Sequence, residues 1–202
     1  KQNFPNPAFG GGDDVPGTWF NFTMGNVDFF MLDCRFYRQD PGVVDNPSML
    51  GTDQKAWLMQ ALANSNATFK VIASSVPWAN GTKPGSKDTW DGFPGEREDI
   101  FSWIGNNNIT GVVLLSADRH RSDAWLIERP QSYDLYDFSS SCLTNIHRHP
   151  VLDASLFGYN DKNSFGRIDF DLANPNPTVT YTIYTIDNET KGSMSVSLSE
   201  LS

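Results

Sequence analysis

The stretch TGVVLLSADRHR, residues 110–121, joins an uninterrupted apolar run to a group of charged residues. Its apolar centre, VVLL at 112–115, predicts a fully buried strand. The strand is followed by small residues and then by four side chains that can bind metals or anions: Asp118, Arg119, His120 and Arg121. Because ligands bind outside the carboxyl ends of strands in open α/β sheets, this stretch predicts a metal and oxyanion site. A charged turn after a core strand is the alternative, and the motif alone leaves both open.

Two earlier apolar runs also end in polar residues. VDFFMLD at 27–33 and FKVIAS at 69–74 predict strands, and apolar residues at helical spacing predict helices over about 53–63 and 96–103. The resulting β-α-β-α-β order makes the three strands parallel through its crossovers. The groups that follow Leu32, Ser74 and Ser116 are therefore expected to converge at one edge of a sheet.

The remaining segments fit a single domain over 1–202 with a mixed α/β (α+β) fold. Residues 1–17, rich in Pro, Gly and Asp, predict an irregular arm, and residues 75–95 predict an ordered loop beside the active site. Five segments after His120 alternate or resemble short strands, and they favour an antiparallel, half-exposed sheet: 123–129, 133–141, 164–172, 177–187 and 192–201.

Composition narrows the class of protein. With 39% apolar residues, 13% aromatic residues and a formal net charge of −9, the chain is typical of a globular protein and unlike a stable nucleic-acid binder. No apolar run approaches the roughly 20 residues of a membrane-spanning helix. We therefore expect no transmembrane segment.

Glycosylation sequons and cysteines bear on the compartment. Asn-x-Ser/Thr sequons occur five times, a mild excess that, with the acidity, favours a secreted glycoprotein: Asn21, Asn66, Asn80, Asn108 and Asn188. Cys34 and Cys142 can form one disulfide if the fold brings them together, and two free buried thiols are the equal alternative.

The histidines limit the type of metal site. With three in the chain, the sequence argues against a His-rich zinc cage and for a carboxylate-led site at Asp118 and His120. His147 and His149 repeat the same spacing before a proline, but no buried strand precedes them, so a surface loop is expected there. Three arginines are candidates for a clamp on a phosphoryl group: Arg35, Arg119 and Arg121.

Collinear segments across about 170 residues carry a resemblance to a known family. They are LDCRFYR at 32–38, SMLGTDQKAWLMQAL at 48–62, ATFKVIASSVPW at 67–78, DTWDGFPGERE at 88–98, VVLLSADRHRSD at 112–123 and YDLYDFSSSCLTN at 133–145. In this order they resemble the C-terminal half of PhoD-like alkaline phosphatases, the D-type branch of the calcineurin-like metallophosphoesterases.

The resemblance implies a β-sandwich flanked by helices and the hydrolysis of phosphoric mono- or diesters at a centre of two metal ions, often iron with calcium. The family's Gly-Asp-x-His loop falls on residues 117–120, with Ala117 in place of Gly. His120 is then the first candidate for a metal ligand, and Asp118 is its partner or a second ligand.

One departure from the family is large. Its first metal-binding Asp, its Trp-Asp-Asp-His-Asp stretch and its Asn-Asp stretch have no match in residues 1–31. We therefore expect the other half of the site on a separate chain or a missing segment, and this chain to be inactive alone. Without that half, the buried strands would lose neighbours, and the isolated chain is expected to be insoluble or molten. The alternative is a non-catalytic extracellular structural or adhesive glycoprotein that keeps the phosphatase fold.

Overall fold

The computed structural model describes residues 8–144 and 147–202. Residues 1–7 of the predicted arm lie outside the described residues. In the described part of the arm, the N–H of Gly10 donates to the carbonyl of Trp19 at 2.8 Å and Phe9 forms a bridge to Phe20. The start of the chain is thus tied to the first strand.

The described residues form ten strands, two α-helices and two short 3-10 helices. The first half contains β1 (Phe20–Met24), β2 (Val27–Met31), α1 (Gly51–Asn64), β3 (Phe69–Ala73), α2 (Pro94–Asn106) and β4 (Val112–Ser116), with a 3-10 helix at Trp90–Gly92. The second half contains β5 (Ser122–Ile127), β6 (Leu135–Ser140), β7 (Phe157–Tyr159), β8 (Ser164–Asp171), β9 (Thr178–Thr185) and β10 (Thr190–Ser197), with a 3-10 helix at Leu198–Leu201.

The larger sheet has seven strands in the order β1-β2-β3-β4-β6-β5-β7. Strands β2, β3, β4 and β6 are parallel neighbours, while β1, β5 and β7 pair antiparallel at the two sides. The predicted β-α-β-α-β unit is confirmed, and its strand ends lie at one edge. At the opposite edge, where β3 and β4 begin, Gly111 has φ +71° and lies so close to the Thr68 carbonyl that there is no room for a Cβ atom.

Three layers bury two cores. Both helices cover one face of the seven-stranded sheet, with Leu58 and Leu62 of α1 and Ile100 and Ile104 of α2 packed in the same cluster as Leu114. The antiparallel sheet β10-β9-β8 covers the opposite face, where Val179, Tyr181 and Ile183 meet Val71, Val113 and Phe138. This is the expected mixed α/β fold with two packed sheets, and both of its α-helices lie on one side.

The segments after His120 differ from the sequence-based prediction. Only β8, β9 and β10 form a separate antiparallel sheet, whereas β5, β6 and β7 complete the large sheet and β6 is parallel to β4. The prediction of an antiparallel sheet is confirmed for the segments 164–172, 177–187 and 192–201, and β5 also pairs antiparallel with β6 and β7. It was wrong in making β5 and β6 half-exposed, because both strands lie inside the large sheet and are mostly buried.

The predicted parallel strands do not lack neighbours. Strands β2, β3 and β4 each have a hydrogen-bonded strand on both sides. The physical basis for expecting an insoluble isolated chain was therefore wrong. Among the described residues, no helix has the length and apolarity needed to cross a bilayer.

Candidate active site

The carboxyl ends of β2, β3, β4 and β6 lead into loops on one edge of the large sheet. The Cys34 thiol lies 3.4 Å from the Ser74 hydroxyl, so the exits of β2 and β3 meet there. The indole N–H of Trp90 donates to the same hydroxyl at 3.0 Å. The predicted convergence of these exits is confirmed.

The connection from β3 to α2 is an ordered cover for this edge. Trp78 and Trp90 are fully buried and stack with their ring centroids 4.3 Å apart. The N–H groups of Trp78 and Ala79 donate to one carboxylate oxygen of Asp137 in β6, at 2.8 and 3.1 Å. The loop is thereby anchored to the sheet before it reaches Thr82.

A buried pair of carboxyl groups lies beneath the loop. Burial raises the pKa of Asp137 to about 6, and the negative charge of Asp123 adds to this shift. Burial also raises the pKa of Asp123, against the opposing effect of Arg121, which forms an ion pair with it. The two carboxyl groups, called here the carboxyl pair, are thus buried polar groups beneath an apolar, aromatic loop.

The turn from β4 to β5 holds its residues in an unusual backbone conformation. Asp118 has φ +72° and His120 has φ +48°, a region that non-glycine residues seldom adopt and that concentrates at functional sites. The N–H of His120 donates to the Ser141 hydroxyl at 3.0 Å. The turn is thus held against the end of β6.

Two arginines of this turn point at the covering loop. Arg119 donates to the Thr82 carbonyl from Nε at 3.1 Å, and Arg121 donates to the same oxygen at 3.2 Å. Burial lowers the pKa of Arg119, and the neighbouring charge of Arg121 lowers it further. Arg121 is paired with Asp123, whereas Arg119 forms no ion pair with a carboxylate among the described residues, so Arg119 is the cation of this turn that can attract an anion.

All three histidines of the chain lie together beside this turn. Each offers one ligand atom, and these atoms lie within 4.8 Å of one another. The rings of His120 and His149 are 5.4 Å apart, and those of His147 and His149 are 4.9 Å apart, centroid to centroid. Burial lowers the pKa of His149, and the charges of Arg119 and of the other two histidines act in the same direction.

A pocket of about 340 Å³ connects the arginines to the histidines. It lies between the loop at 82–86 and the segment at 149–152, and its polar lining includes Lys83, Arg119, Arg121 and His149. A cationic pocket next to a cluster of imidazoles can hold a phosphate group.

A second group of charges surrounds Asp88 and shares Lys83 with the pocket. Arg38, Lys83 and Arg35 approach its carboxylate at 2.7, 3.2 and 3.4 Å. Burial opposes ionisation of Asp88, but hydrogen bonds from Arg38 and Lys83 outweigh it and lower the pKa. Asp118 lies 3.9 Å from Lys83, so this lysine joins the two carboxylates.

Comparison with known proteins assigns the family. The family model described as PhoD-like phosphatase matches residues 5–200. The chain belongs to the PhoD-like phosphatase family. Alkaline phosphatase D of Bacillus subtilis (strain 168) is 35% identical over 121 residues, which cover 50% of this chain and 21% of that protein.

Solved structures share the fold of this PhoD-like chain. The structure of PhoD superposes with a TM-score of 0.63 at 24% identity and covers 92% of this chain and 44% of its own. GAP50, the anchor in the inner membrane complex of Plasmodium, superposes with a TM-score of 0.51 at 14% identity. The superposition covers 91% of this chain and 56% of the GAP50 chain. The PhoD-like chain thus spans only part of the length of the proteins it matches.

The structure brings some predicted site residues of this PhoD-like chain together. Arg119 and Arg121 line one pocket, and His120 lies beside it, whereas Arg35 lies exposed beside Asp88. The carboxylate of Asp118 is oriented to Lys83 and is not part of the histidine cluster.

The histidine pair at 147 and 149 was missed by the sequence analysis. These residues lie outside helices and strands, as expected of a loop, but they pack against His120 rather than standing apart from the site. The prediction against a His-rich site rested on the number of histidines, and a number does not show that all three meet in the fold. The repeated His-x-His and Asp-x-His spacing was the signal available.

The two cysteines are free and buried. Strands β2 and β6, which precede them, are separated by β3 and β4, a distance of roughly 14 Å at the usual strand spacing. A disulfide requires Cα atoms within about 7 Å, so the pairing of Cys34 with Cys142 is not formed. The five sequon asparagines are all exposed: Asn21, Asn66, Asn80, Asn108 and Asn188.

The residues at this edge fit a metal ion of one kind. Buried Nδ1 of His120 has no hydrogen-bond partner among the described residues, and an unsatisfied buried nitrogen is costly unless something occupies it. Imidazole nitrogens suit iron, zinc and copper, whereas calcium takes oxygen ligands. The histidine cluster therefore fits a transition metal and does not fit calcium.

Proposed function

We propose that this chain forms one wall of the active site of a metal-dependent hydrolase acting on phosphoric esters, of the alkaline phosphatase or phosphodiesterase type. The observation that carries the proposal is the pocket in which Arg119, Arg121 and Lys83 meet an edge of the histidine cluster. Family membership supports the same chemistry.

The arginines are proposed to bind the phosphate of the substrate. A guanidinium offers donors in a planar fork that matches phosphate oxygens, and partial burial strengthens the attraction. Arg119 and Arg121 are held by Thr82 and so are oriented before substrate arrives. Arg35, exposed beside Asp88, is the outer member of the proposed clamp.

The histidine and carboxylate side chains are proposed to hold the metal ions, expected to be iron and calcium. His120 suits iron, and Asp118 is the carboxylate proposed for calcium, which would need further oxygen ligands. Bound metal ions of this type activate water and neutralise charge on the phosphate. The chain's own residues orient the ester and supply the positive potential around it.

A second polypeptide segment is proposed to complete the site. The family's other metal-binding stretches have no match in residues 1–31, and the 121 residues aligned with alkaline phosphatase D cover 21% of that protein. The proposed partner is therefore an N-terminal portion, on a separate chain or a longer precursor, and this chain alone is expected to be inactive.

The protein is further proposed to be a secreted glycoprotein. All five sequon asparagines are exposed, which is what attachment of a glycan requires. Intact mass analysis of material from the native source checks this, since each occupied sequon adds the mass of a glycan. Loss of that mass on deglycosylation is the expected result.

The proposed activity is tested with p-nitrophenyl phosphate and its bis-ester. The chain is assayed alone and with an N-terminal portion, with and without added iron and calcium. Hydrolysis by the pair and none by the chain alone is expected.

Arg119→Gln lowers kcat/KM of the pair by about 100-fold or more, because a preorganised donor to the phosphate is lost. Arg167→Gln, on the exposed face of β8, is the matched control and leaves it unchanged.

Two results contradict the proposal. Equal activity of the isolated chain and the pair rules out the two-part site. Absence of hydrolysis of both esters by a folded, metal-loaded pair rules out the hydrolase.

A second candidate is a structural or adhesive protein on the same fold. GAP50, which shares the fold, is an anchor in a membrane complex, and five exposed sequons also suit an extracellular scaffold. A scaffold would not need a metal, so stoichiometric iron in native material argues against it.

A further inference from the structure

The three histidines come from two segments far apart in the sequence. His120 lies in the turn between β4 and β5, and the other two lie in the connection between β6 and β7. The chain has no other histidine, so its entire imidazole content meets at one point.

The backbone on both sides of the cluster is fixed. Ser141, at the start of the β6–β7 connection, accepts from the His120 N–H at 3.0 Å, and its own N–H donates to the Arg121 carbonyl at 3.2 Å. The side-chain amide of Asn160, just after β7, donates to the His149 carbonyl at 2.7 Å. Both segments are therefore tied where they approach each other.

The donor set selects the class of metal. The cluster consists of imidazoles alone, with no carboxylate among its members. Borderline transition metals such as zinc, cobalt and ferrous iron bind neutral imidazole, while calcium and magnesium prefer oxygen ligands. Three protein ligands with one open position is also the arrangement of catalytic zinc sites.

We infer that His120, His147 and His149 together bind one divalent transition-metal ion, with His147 and His149 as ligands supplied by the β6–β7 connection. The inference rests on the proposed function in one respect: His120 belongs to the proposed phosphatase site and also to the three-histidine metal site. It adds a ligand pair outside the Asp-x-His turn and restricts the ion to metals that accept nitrogen.

The distances between the three ligand atoms are compatible with this site if the side chains move slightly closer together. The ligand atoms lie within 4.8 Å of one another, whereas nitrogens around a tetrahedral ion lie about 3.4 Å apart for metal–nitrogen bonds of about 2 Å. His147 is exposed, so rotation of its side chain can shorten the gap. His149 also lines the cationic pocket, which puts the proposed ion at the edge of the phosphate site.

The test uses the 202-residue chain without a histidine tag, stripped of metal by dialysis against a chelator. Co²⁺ is titrated and its visible d–d absorption is recorded, and Zn²⁺ is then added as a competitor. One equivalent of Co²⁺ is expected to bind, and Zn²⁺ is expected to displace it because zinc binds such sites more tightly. Excess Ca²⁺ is expected to leave the absorption unchanged.

The variants separate the histidines from their surroundings. The double variant His147→Gln, His149→Gln is expected to weaken Co²⁺ binding by about 100-fold or more, since two of three ligands are lost. His120→Gln is expected to do the same. The matched control is Arg148→Gln, between the two loop histidines and exposed, with affinity unchanged. Far-UV circular dichroism verifies that each variant keeps the fold.

Two outcomes overturn the inference. They are failure of the folded chain to bind Co²⁺ or Zn²⁺, and binding by the double variant with unchanged affinity and absorption. The phosphatase assay is independent of this test. If the chain binds Co²⁺ through these histidines but hydrolyses no ester together with the N-terminal portion, the metal site stands and the proposed function fails. If the two portions together hydrolyse an ester but the chain binds no Co²⁺, the proposed function stands and the metal site fails.

Discussion

Two ion pairs with the same sequence pattern behave differently in the two sheets. Arg121 and Asp123 at the start of β5, and Arg167 and Asp169 in β8, are both Arg-x-Asp pairs joined through Nε of the arginine. The side chains of the first pair are each 1% exposed, whereas those of the second are 54% and 51% exposed. Identical local patterns thus acquire opposite environments from what covers them.

The cover explains the contrast. The β3–α2 loop lies over the first pair, and its Thr82 carbonyl accepts from Arg121 at 3.2 Å. The second pair lies on the open side of the small sheet, where Arg167 stacks over the ring of Tyr184 at 4.8 Å. Burial raises the pKa of Asp123, while the hydrogen bond from Arg167 to Asp169 raises the pKa of that arginine. A buried pair is costly to break, and an exposed one is not.

The largest expected effect comes from breaking each pair in the same way. Arg121→Met leaves the Asp123 carboxylate buried without its partner and is expected to lower the free energy of unfolding by about 3–5 kcal/mol. Arg167→Met is expected to leave the denaturation midpoint unchanged. Chemical denaturation of both variants measures the difference.

A double variant sharpens this comparison. Arg121→Met with Asp123→Leu removes both charges and is expected to recover most of the lost stability, since an apolar pair avoids the cost of desolvation. Equal losses for Arg121→Met and Arg167→Met would show that the cover over the first pair does not exclude water.

A smaller effect on stability is expected from Asp137, a member of the carboxyl pair under the same loop. The pKa of Asp137 is raised to about 6 in the folded chain, from 3.8 for a carboxyl group in the unfolded chain. Between about pH 4 and pH 6 the folded state therefore holds a proton that the unfolded state has lost, and stability falls as the pH rises. With the pKa raised to about 6, ionisation of the buried carboxyl group lowers the free energy of unfolding at pH 7 by about 3 kcal/mol relative to pH 4.

Asp137→Asn tests that dependence. The amide oxygen can still accept from the N–H groups of Trp78 and Ala79, and no charge is buried at neutral pH. The variant is expected to be more stable than the native chain at pH 7, and the difference should vanish near pH 4. Thermal unfolding at several pH values checks this, and a difference that does not change with pH would contradict it.

The smallest contrast concerns two pairs of hydroxyl groups. Ser122 and Ser164 lie 3.0 Å apart in the buried contact between β5 and β8, and Thr180 and Ser195 lie 2.7 Å apart on the open face of the small sheet. Ser164→Ala is expected to cost about 1 kcal/mol and Thr180→Val about 0.5 kcal/mol or less. Denaturant titration separates them, and a larger loss for Thr180→Val would reverse the assignment of inner and outer faces.

Much of the fold was predictable from local patterns. The helices predicted at 53–63 and 96–103 are observed at 51–64 and 94–106, and the strand predicted at 69–74 is observed at 69–73. Helical spacing and uninterrupted apolar runs are properties of neighbouring residues, so they survive in the sequence. Assignment of β5, β6 and β7 to a sheet was not predictable, because partner choice depends on residues far apart.

The candidate site divides in the same way. The Asp118–Arg121 turn was identified because it follows a buried strand, and in the structure its two arginines line one pocket. The histidines at 147 and 149 were assigned to the surface, because the sequence does not show how the long β6–β7 connection folds back onto His120.

The sequence by itself determined the parallel unit of strands and helices, the edge at which polar residues collect, and the family, since each depends on short-range periodicity and collinear motifs. The tertiary structure alone decided that Arg121 is buried while Arg167 is not, that Cys34 and Cys142 are separated by two strands, and that three histidines meet. These outcomes depend on which distant segment covers a given residue, and burial and proximity are properties of that covering segment.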